Sequence, residues 1–193
     1  VGIQSLVEKS VNMSRVIEIA RSAQDLSYSA VKKESKSPLQ AHFGILMDEA
    51  FSFYYPENIE ALRSSCSKVS FINSLTDPCL PKGLDGLYIG GGFPEMYASG
   101  LEKNKTLRRE IREAAFSGMP IYGECGGLMY LCSSLTTFSK ECFEMVGFYD
   151  GELEMFDRPQ ALGYVELIAE RENPLIKKGE MIRGHEFHHS SLK

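Results

Sequence analysis

No apolar run in this 193-residue chain approaches the length of a membrane-spanning helix, and its first residues carry no signal-peptide pattern. Positive charge is not in excess: 21 Lys and Arg face 26 Asp and Glu, a net charge of −5. That balance argues against a surface built for nucleic acid or for an anionic membrane. Cysteine is sparse and odd in number, at positions 66, 79, 125, 132 and 142, with no Cys-x-x-Cys pair. This spacing suits neither a disulfide framework nor a zinc site, and it points to a reducing, cytoplasmic setting. Internal repeats and low-complexity tracts are lacking as well. So are the Gly-Lys-Ser/Thr ending of a phosphate-binding loop and the Gly-x-Gly-x-x-Gly spacing of a dinucleotide fold.

What remains is the composition of an ordinary globular protein, 43% hydrophobic and 24% charged. The length suits one domain, or one domain with an appendage. Residues 1–28 place apolar side chains at helical spacing, which predicts two short helices with Asn12 and Ser14 as caps. Residues 29–41 are polar and proline-marked, as a linker is. The chain therefore divides into residues 1–40, the tail of a preceding domain plus linker, and a compact domain over 41–193. A start at Val1 and a stop at Lys193 just after a His-rich run read as cut ends. They predict a fragment of a longer polypeptide, truncated within its second domain.

From residue 41 onward short apolar runs alternate with helical patterns. Strands are expected at 42–47, 68–72, 86–89 and 119–122, and helices at 58–66 and 101–116. The predicted class is α/β, a three-layer arrangement with a mostly parallel sheet and helices on both faces. Past Leu135 the segments 143–149, 163–168 and 181–188 read as strands of a more antiparallel lobe.

In an open α/β sheet, ligands bind beyond the carboxyl ends of the strands. Three features fall at such ends: Asp48-Glu49-Ala50-Phe51, Gly90-Gly91-Gly92-Phe93-Pro94-Glu95 and Gly123-Glu124-Cys125-Gly126. The last has the strand, glycine-flanked turn and helix of a nucleophile elbow. Cys125 would open a helix, where free N–H groups and the helix dipole favour a thiolate. The triple glycine lets the backbone aim amides at one point, so Gly91 or Gly92 together with Gly126 form the expected oxyanion hole.

A nucleophilic cysteine needs a base. His42 opens a buried strand and reads as structural; the other histidines lie in Gly184-His185-Glu186-Phe187-His188-His189-Ser190. In an extended chain Glu186 and His188 share one face, with His185, Phe187 and His189 on the other. His188 is the expected base, with Glu186 as its supporting carboxylate. A shared metal ion is disfavoured because adjacent histidines diverge in a strand. These residues together suit acyl transfer through a thioester, and amide hydrolysis, a cysteine hydrolase and a glutaminase all remain open.

Several longer motifs narrow the field by resemblance. They are Asp-Glu-Ala-Phe-Ser-Phe-Tyr-Tyr-Pro-Glu-Asn at 48–58, Gly-Leu-Tyr-Ile-Gly-Gly-Gly-Phe-Pro-Glu at 86–95 and Gly-Glu-Cys-Gly-Gly-Leu-Met-Tyr-Leu at 123–131. Leu-Gly-Tyr-Val at 162–165 and Gly-His-Glu-Phe-His-His-Ser at 184–190 complete the set. Over residues 41–190 the chain resembles the class I (triad-type) glutamine amidotransferase domain of the cobyrinic acid a,c-diamide synthases, a flavodoxin-like fold. The resemblance implies that Cys125 attacks glutamine and His188 activates it. The released ammonia would pass to a synthetase domain that uses ATP and Mg²⁺ to amidate a corrin substrate in cobalamin biosynthesis. It implies no cofactor within the fragment itself, makes residues 1–28 the last helices of the synthetase domain, and leaves a homodimer open. Typical triads put an acid two residues after the histidine, where this chain has Ser190. A relative acting on nickel-sirohydrochlorin in the coenzyme F430 pathway shares these motifs. A stand-alone cysteine hydrolase, or a regulatory domain with a vestigial site, are the readings from other classes.

Overall fold

A computed structural model describes residues 2–24, 39–173 and 175–193. The chain separates into two compact units, Val1–Ser35 and Lys36–Lys193. The first holds helices α1 (Ile3–Ser10) and α2 (Met13–Arg21). Asn12 caps α2, its side chain accepting from the Arg15 amide at 3.0 Å, while Ser14 lies inside the helix. Neither helix buries a residue, and Val16, Ile17 and Ile19 are exposed. Helices this short draw most of their stability from tertiary packing. The expected linker falls mainly on residues outside the described ones.

In the second unit the strands β1 (Leu39–Leu46), β2 (Cys66–Ile72), β3 (Gly86–Ile89) and β4 (Ile121–Gly123) form a parallel sheet in the order β2-β1-β3-β4. Helix α3 (Pro56–Ser65) links β1 to β2, and α4 (Ala98–Lys103) and α5 (Lys105–Phe116) link β3 to β4. These two crossovers step in opposite directions along the sheet. Right-handed connections therefore put α3 on one face and α4 and α5 on the other. Strand alternation feeds both layers. Ile45 and Tyr88 pack with Ile59 of α3, whereas Leu46, Leu87 and Ile89 join the larger core with Leu101, Leu107 and Ile111.

The helix expected over 101–116 is instead broken at Asn104. The Asn104 side chain caps α5 by accepting from the Leu107 amide, and its Nδ2 donates to the carbonyls of Ser74 at 2.9 Å and Asp77 at 2.8 Å. A long-range tie thus overrides a continuous helical pattern. Beyond β4, α6 (Gly126–Leu131) runs directly into β5 (Cys132–Thr136), a strand without a clear sequence signal. With β6 (Cys142–Glu144), β7 (Tyr149–Met155) and β10 (Ser190–Leu192) it forms a mixed sheet ordered β10-β7-β5-β6. The strand expected over 143–149 is interrupted because the amides of Val146, Gly147 and Phe148 bond the carbonyls of Tyr130, Cys132 and Leu131, closing the end of α6. Strands β8 (Ala161–Ile168) and β9 (Met181–His188) form a two-stranded antiparallel ribbon.

Candidate active site

The chain turns sharply between β4 and α6, and Cys125 sits at the turn with φ 49° and ψ −112°. A side chain at positive φ costs on the order of 1–3 kcal/mol and persists only where its surroundings enforce it. Here they do. The Glu124 amide donates to the Ile89 carbonyl at 3.1 Å, and the Gly127 amide to the Glu124 carbonyl at 2.8 Å. The Glu124 carboxylate is held by the hydroxyls of Tyr88 at 2.8 Å and Tyr122 at 3.1 Å. Gly127 lies so close to β3 that a Cβ there would strike the Ile89 carbonyl oxygen. The first turn of α6 is thus clamped to the neighbouring strand, with Cys125 projecting at its start.

The glycine loop after β3 is held from the other side. Asp48 Oδ1 accepts from the amides of Ala50 at 2.8 Å and Phe51 at 3.2 Å, and its Oδ2 accepts from Ser74, folding the loop after β1. The Ala50 carbonyl then receives the Phe93 amide at 3.0 Å, and the Gly91 carbonyl receives the Phe53 amide at 3.0 Å. The Tyr54 hydroxyl donates to the Leu46 carbonyl and accepts from the Gly90 amide at 2.9 Å, joining the end of β1 to the loop. Burial, above all, pushes this phenol up to about 12, so it keeps its donating proton across the neutral range. A Cβ on Gly92 would collide with the Ala50 carbonyl, which explains a glycine there.

Loop and elbow meet. The point where a Cβ on Gly126 would stand is 3.1 Å from the Gly92 nitrogen, and the equivalent point on Gly91 is 3.6 Å from Cys125 Cβ. Gly91 is engaged in an antiparallel bridge with Phe53, whereas Gly92 faces Gly126 directly.

Cys125 opens into a cavity of about 640 Å³ whose walls are mostly apolar, with Phe53, Phe93, Met129 and Phe187 among them. His188 and His189 both line it. The alternation expected of an extended chain is kept, with His188 against Glu186 and His189 stacked edge-on against Phe187 at 5.7 Å, but side chains of both faces, Phe187, His188 and His189, line the cavity. His189 Nδ1 lies 3.1 Å from the Phe156 carbonyl. His188 Nε2 is 2.8 Å from Glu186 Oε1, and its Nδ1 is 2.7 Å from the Ser190 carbonyl. Both ring nitrogens are therefore occupied, and neither is hydrogen-bonded to the thiol. Glu186 stands behind His188 and does not line the cavity. His185 is exposed and stacks edge-on against Tyr164, and His42 is buried with Nε2 2.8 Å from Ser70 Oγ.

The electrostatics of Cys125 differ from the expectation of a stabilised thiolate. The Cys125 residue is solvent-accessible, yet its thiol is pushed above the ordinary value, chiefly by withdrawal from water in the apolar cavity. The Gly126 amide acts in the opposite sense, while the carboxylates of Glu95 and Glu124 add to the rise. One amide at the start of a six-residue helix does not offset burial and two negative charges. Two positioning residues, Tyr54 and Tyr88, carried no sequence signal apart from their place inside motifs. A second cavity, of about 440 Å³, lies beside α5 among Lys105, Arg108, Arg109 and Arg112 and holds neither cysteine nor histidine.

Comparison with known proteins follows the same lines. The CobB/CobQ-like glutamine amidotransferase domain matches residues 42–193. A cobyrinate a,c-diamide synthase of Archaeoglobus fulgidus is 46% identical over 190 residues, 98% of this chain and 41% of that protein. Another, of Caldanaerobacter subterraneus, is 48% identical over 146 residues, 76% of this chain and 32% of the relative. The chain thus spans less than half the length of these curated relatives. Among solved structures, PurLQS from Thermotoga maritima aligns with a TM-score of 0.54 at 20% identity, covering 79% of this chain and 68% of that one. The last is a likeness of fold alone.

Proposed function

Because the chain belongs to the CobB/CobQ-like glutamine amidotransferase family, we propose that residues 41–193 are the glutaminase part of a cobyrinate a,c-diamide synthase. The observation that carries this reading is Cys125, held at positive φ on the turn between β4 and α6 and facing a cavity beside the Gly92–Gly126 contact. The sulfur adds to the carboxamide carbon of glutamine. The carbon–nitrogen bond then breaks, and nitrogen leaves as ammonia with the proton that the thiol gave up. Water attacks the resulting glutamyl thioester, releases glutamate and returns a proton to sulfur. The amides of Gly92 and Gly126 receive the developing oxyanion, with Gly91 alongside.

His188 is the proposed base, and Glu186 holds its ring. In the observed arrangement one of the two His188 hydrogen bonds must open before Nε2 or Nδ1 takes the sulfur's proton. Since the thiol is raised rather than depressed, the thiolate is made at the moment of attack and not stored beforehand.

The ammonia serves ATP-dependent amidation of the a and c carboxylates of a corrin, a reading supported by the name cobyrinate a,c-diamide synthase carried by the relatives. In this reading residues 1–40 are the tail of the segment that performs it, plus the linker. ATP and Mg²⁺ belong to that segment. The test is Cys125→Ser in the full-length enzyme. Glutamine-dependent diamide formation should vanish while activity with added ammonium chloride remains. Equal loss with both nitrogen sources would remove Cys125 from the glutaminase step.

A further inference from the structure

Glu95 occupies an unusual position for a carboxylate. It sits in the single 3₁₀ turn Pro94–Met96 that follows the glycine loop, half-buried, and it lines the same cavity as Cys125. The turn is rigidly placed. The Phe93 amide is bonded to the Ala50 carbonyl at 3.0 Å, and Pro94 Cδ lies 3.0 Å from where a Cβ on Gly126 would stand. Glu95 is therefore held one residue away from the wall that supports the nucleophile. Among the described residues no lysine, arginine or histidine forms an ion pair with it, and no lysine or arginine lines the cavity.

A carboxylate withdrawn from water is costly unless a cation or several donors meet it. Burial raises the Glu95 carboxyl above the ordinary value, opposed by its own backbone amide and by the charge of His189. The carboxylate also reaches Cys125 strongly enough to raise the thiol. The carboxylate thus faces the reaction cavity with its own backbone amide beside it but no ion-pair partner among the described residues. The other acidic residue lining the cavity, Glu49, is exposed and lacks this enclosure.

We propose that Glu95 is the residue that recognises the α-ammonium of the substrate, so that the site selects an amino acid carboxamide over a simple carboxamide. This rests on the glutaminase reading above and names the group that sets its specificity. Glutamine places its carboxamide and its ammonium at opposite ends of a short chain. Cys125 takes the first and Glu95 the second, leaving the apolar walls against the methylenes between. The pairing also neutralises the charge that raises the thiol, so binding of substrate itself eases ionisation of Cys125.

The experiment compares glutamine with glutaramate, the same carboxamide without the α-amino group, in the full-length enzyme and its Glu95→Gln variant. Glutaramate is measured as a substrate or, where turnover is too slow, as a competitive inhibitor. A charge-assisted hydrogen bond lost from a withdrawn site predicts that Glu95→Gln raises the KM for glutamine about 10- to 100-fold with a much smaller change in kcat. The constant for glutaramate should stay within about twofold of the unsubstituted enzyme's. Losses of equal size on both amides, or no loss on either, overturn the inference alone. An enzyme that forms diamide from ammonium chloride but never from glutamine overturns the glutaminase reading and this inference together.

Discussion

The raised thiol of Cys125 gives a sharp expectation for its reactivity toward a small electrophile that needs no binding site. An ordinary thiol at 9.0 is about 1% thiolate at pH 7, and Cys125 lies above 9.0, so its thiolate fraction is smaller still. Its alkylation by iodoacetamide should therefore climb about tenfold per pH unit from pH 7 to pH 9, with no plateau in that range. The sign follows from the causes: burial and the carboxylates of Glu95 and Glu124 all favour the protonated form, and only the Gly126 amide opposes them. Glu95→Gln removes one of the two charges and should move the whole profile toward lower pH. The assay is brief alkylation over pH 6–10, quenched and read peptide by peptide by mass spectrometry. Buried Cys66 and Cys132 serve as slow internal standards and exposed Cys79 and Cys142 as accessible ones. A plateau for Cys125 already at pH 7–8 would refute the reasoning. It would mean that a positive group stabilises the thiolate in the resting protein, as the helix-terminus argument from sequence anticipates.

Two further expectations bear on the machinery around it. In the full-length enzyme His188→Asn should cut glutamine-dependent activity by about 10²–10⁴ while sparing ammonia-dependent activity, whereas His189→Asn should not show that selectivity. Because both imidazoles line the cavity, a selective loss in His189→Asn alone would reassign the base, and selectivity in neither would remove both from the role. Tyr54→Phe strips the hydroxyl that bridges the Leu46 carbonyl and the Gly90 amide. It should destabilise the fold by about 1–3 kcal/mol in denaturant titration and lower kcat for glutamine. An unchanged midpoint would show that the loop does not depend on that bridge.

Much of the scaffold was legible without coordinates because it is written in local pattern. The parallel strands over 42–47, 68–72 and 86–89 are short apolar runs bounded by polar or glycine-rich turns, and burial on two faces leaves little choice but a covered sheet. The turn at Cys125 was legible for a related reason: glycines crowd around a single reactive side chain where a strand meets a helix. Those signals depend on neighbours within a few residues. Other features depend on groups far apart in sequence. Asn104 splits a helix because the carbonyls of Ser74 and Asp77 reach it. His189 joins the cavity beside Phe187 while His188 lines it from the other face of the strand, which alternation along the chain does not reveal. The thiol of Cys125 is raised because tertiary folding gathers apolar walls and the carboxylate of Glu95 around it, and the sum of those fields exceeds what one helix terminus supplies. Sequence alone thus determined the layers and the identity of the nucleophile candidate. Only the tertiary structure decided which imidazoles and carboxylates share its cavity, because desolvation and charge act through space and not along the chain.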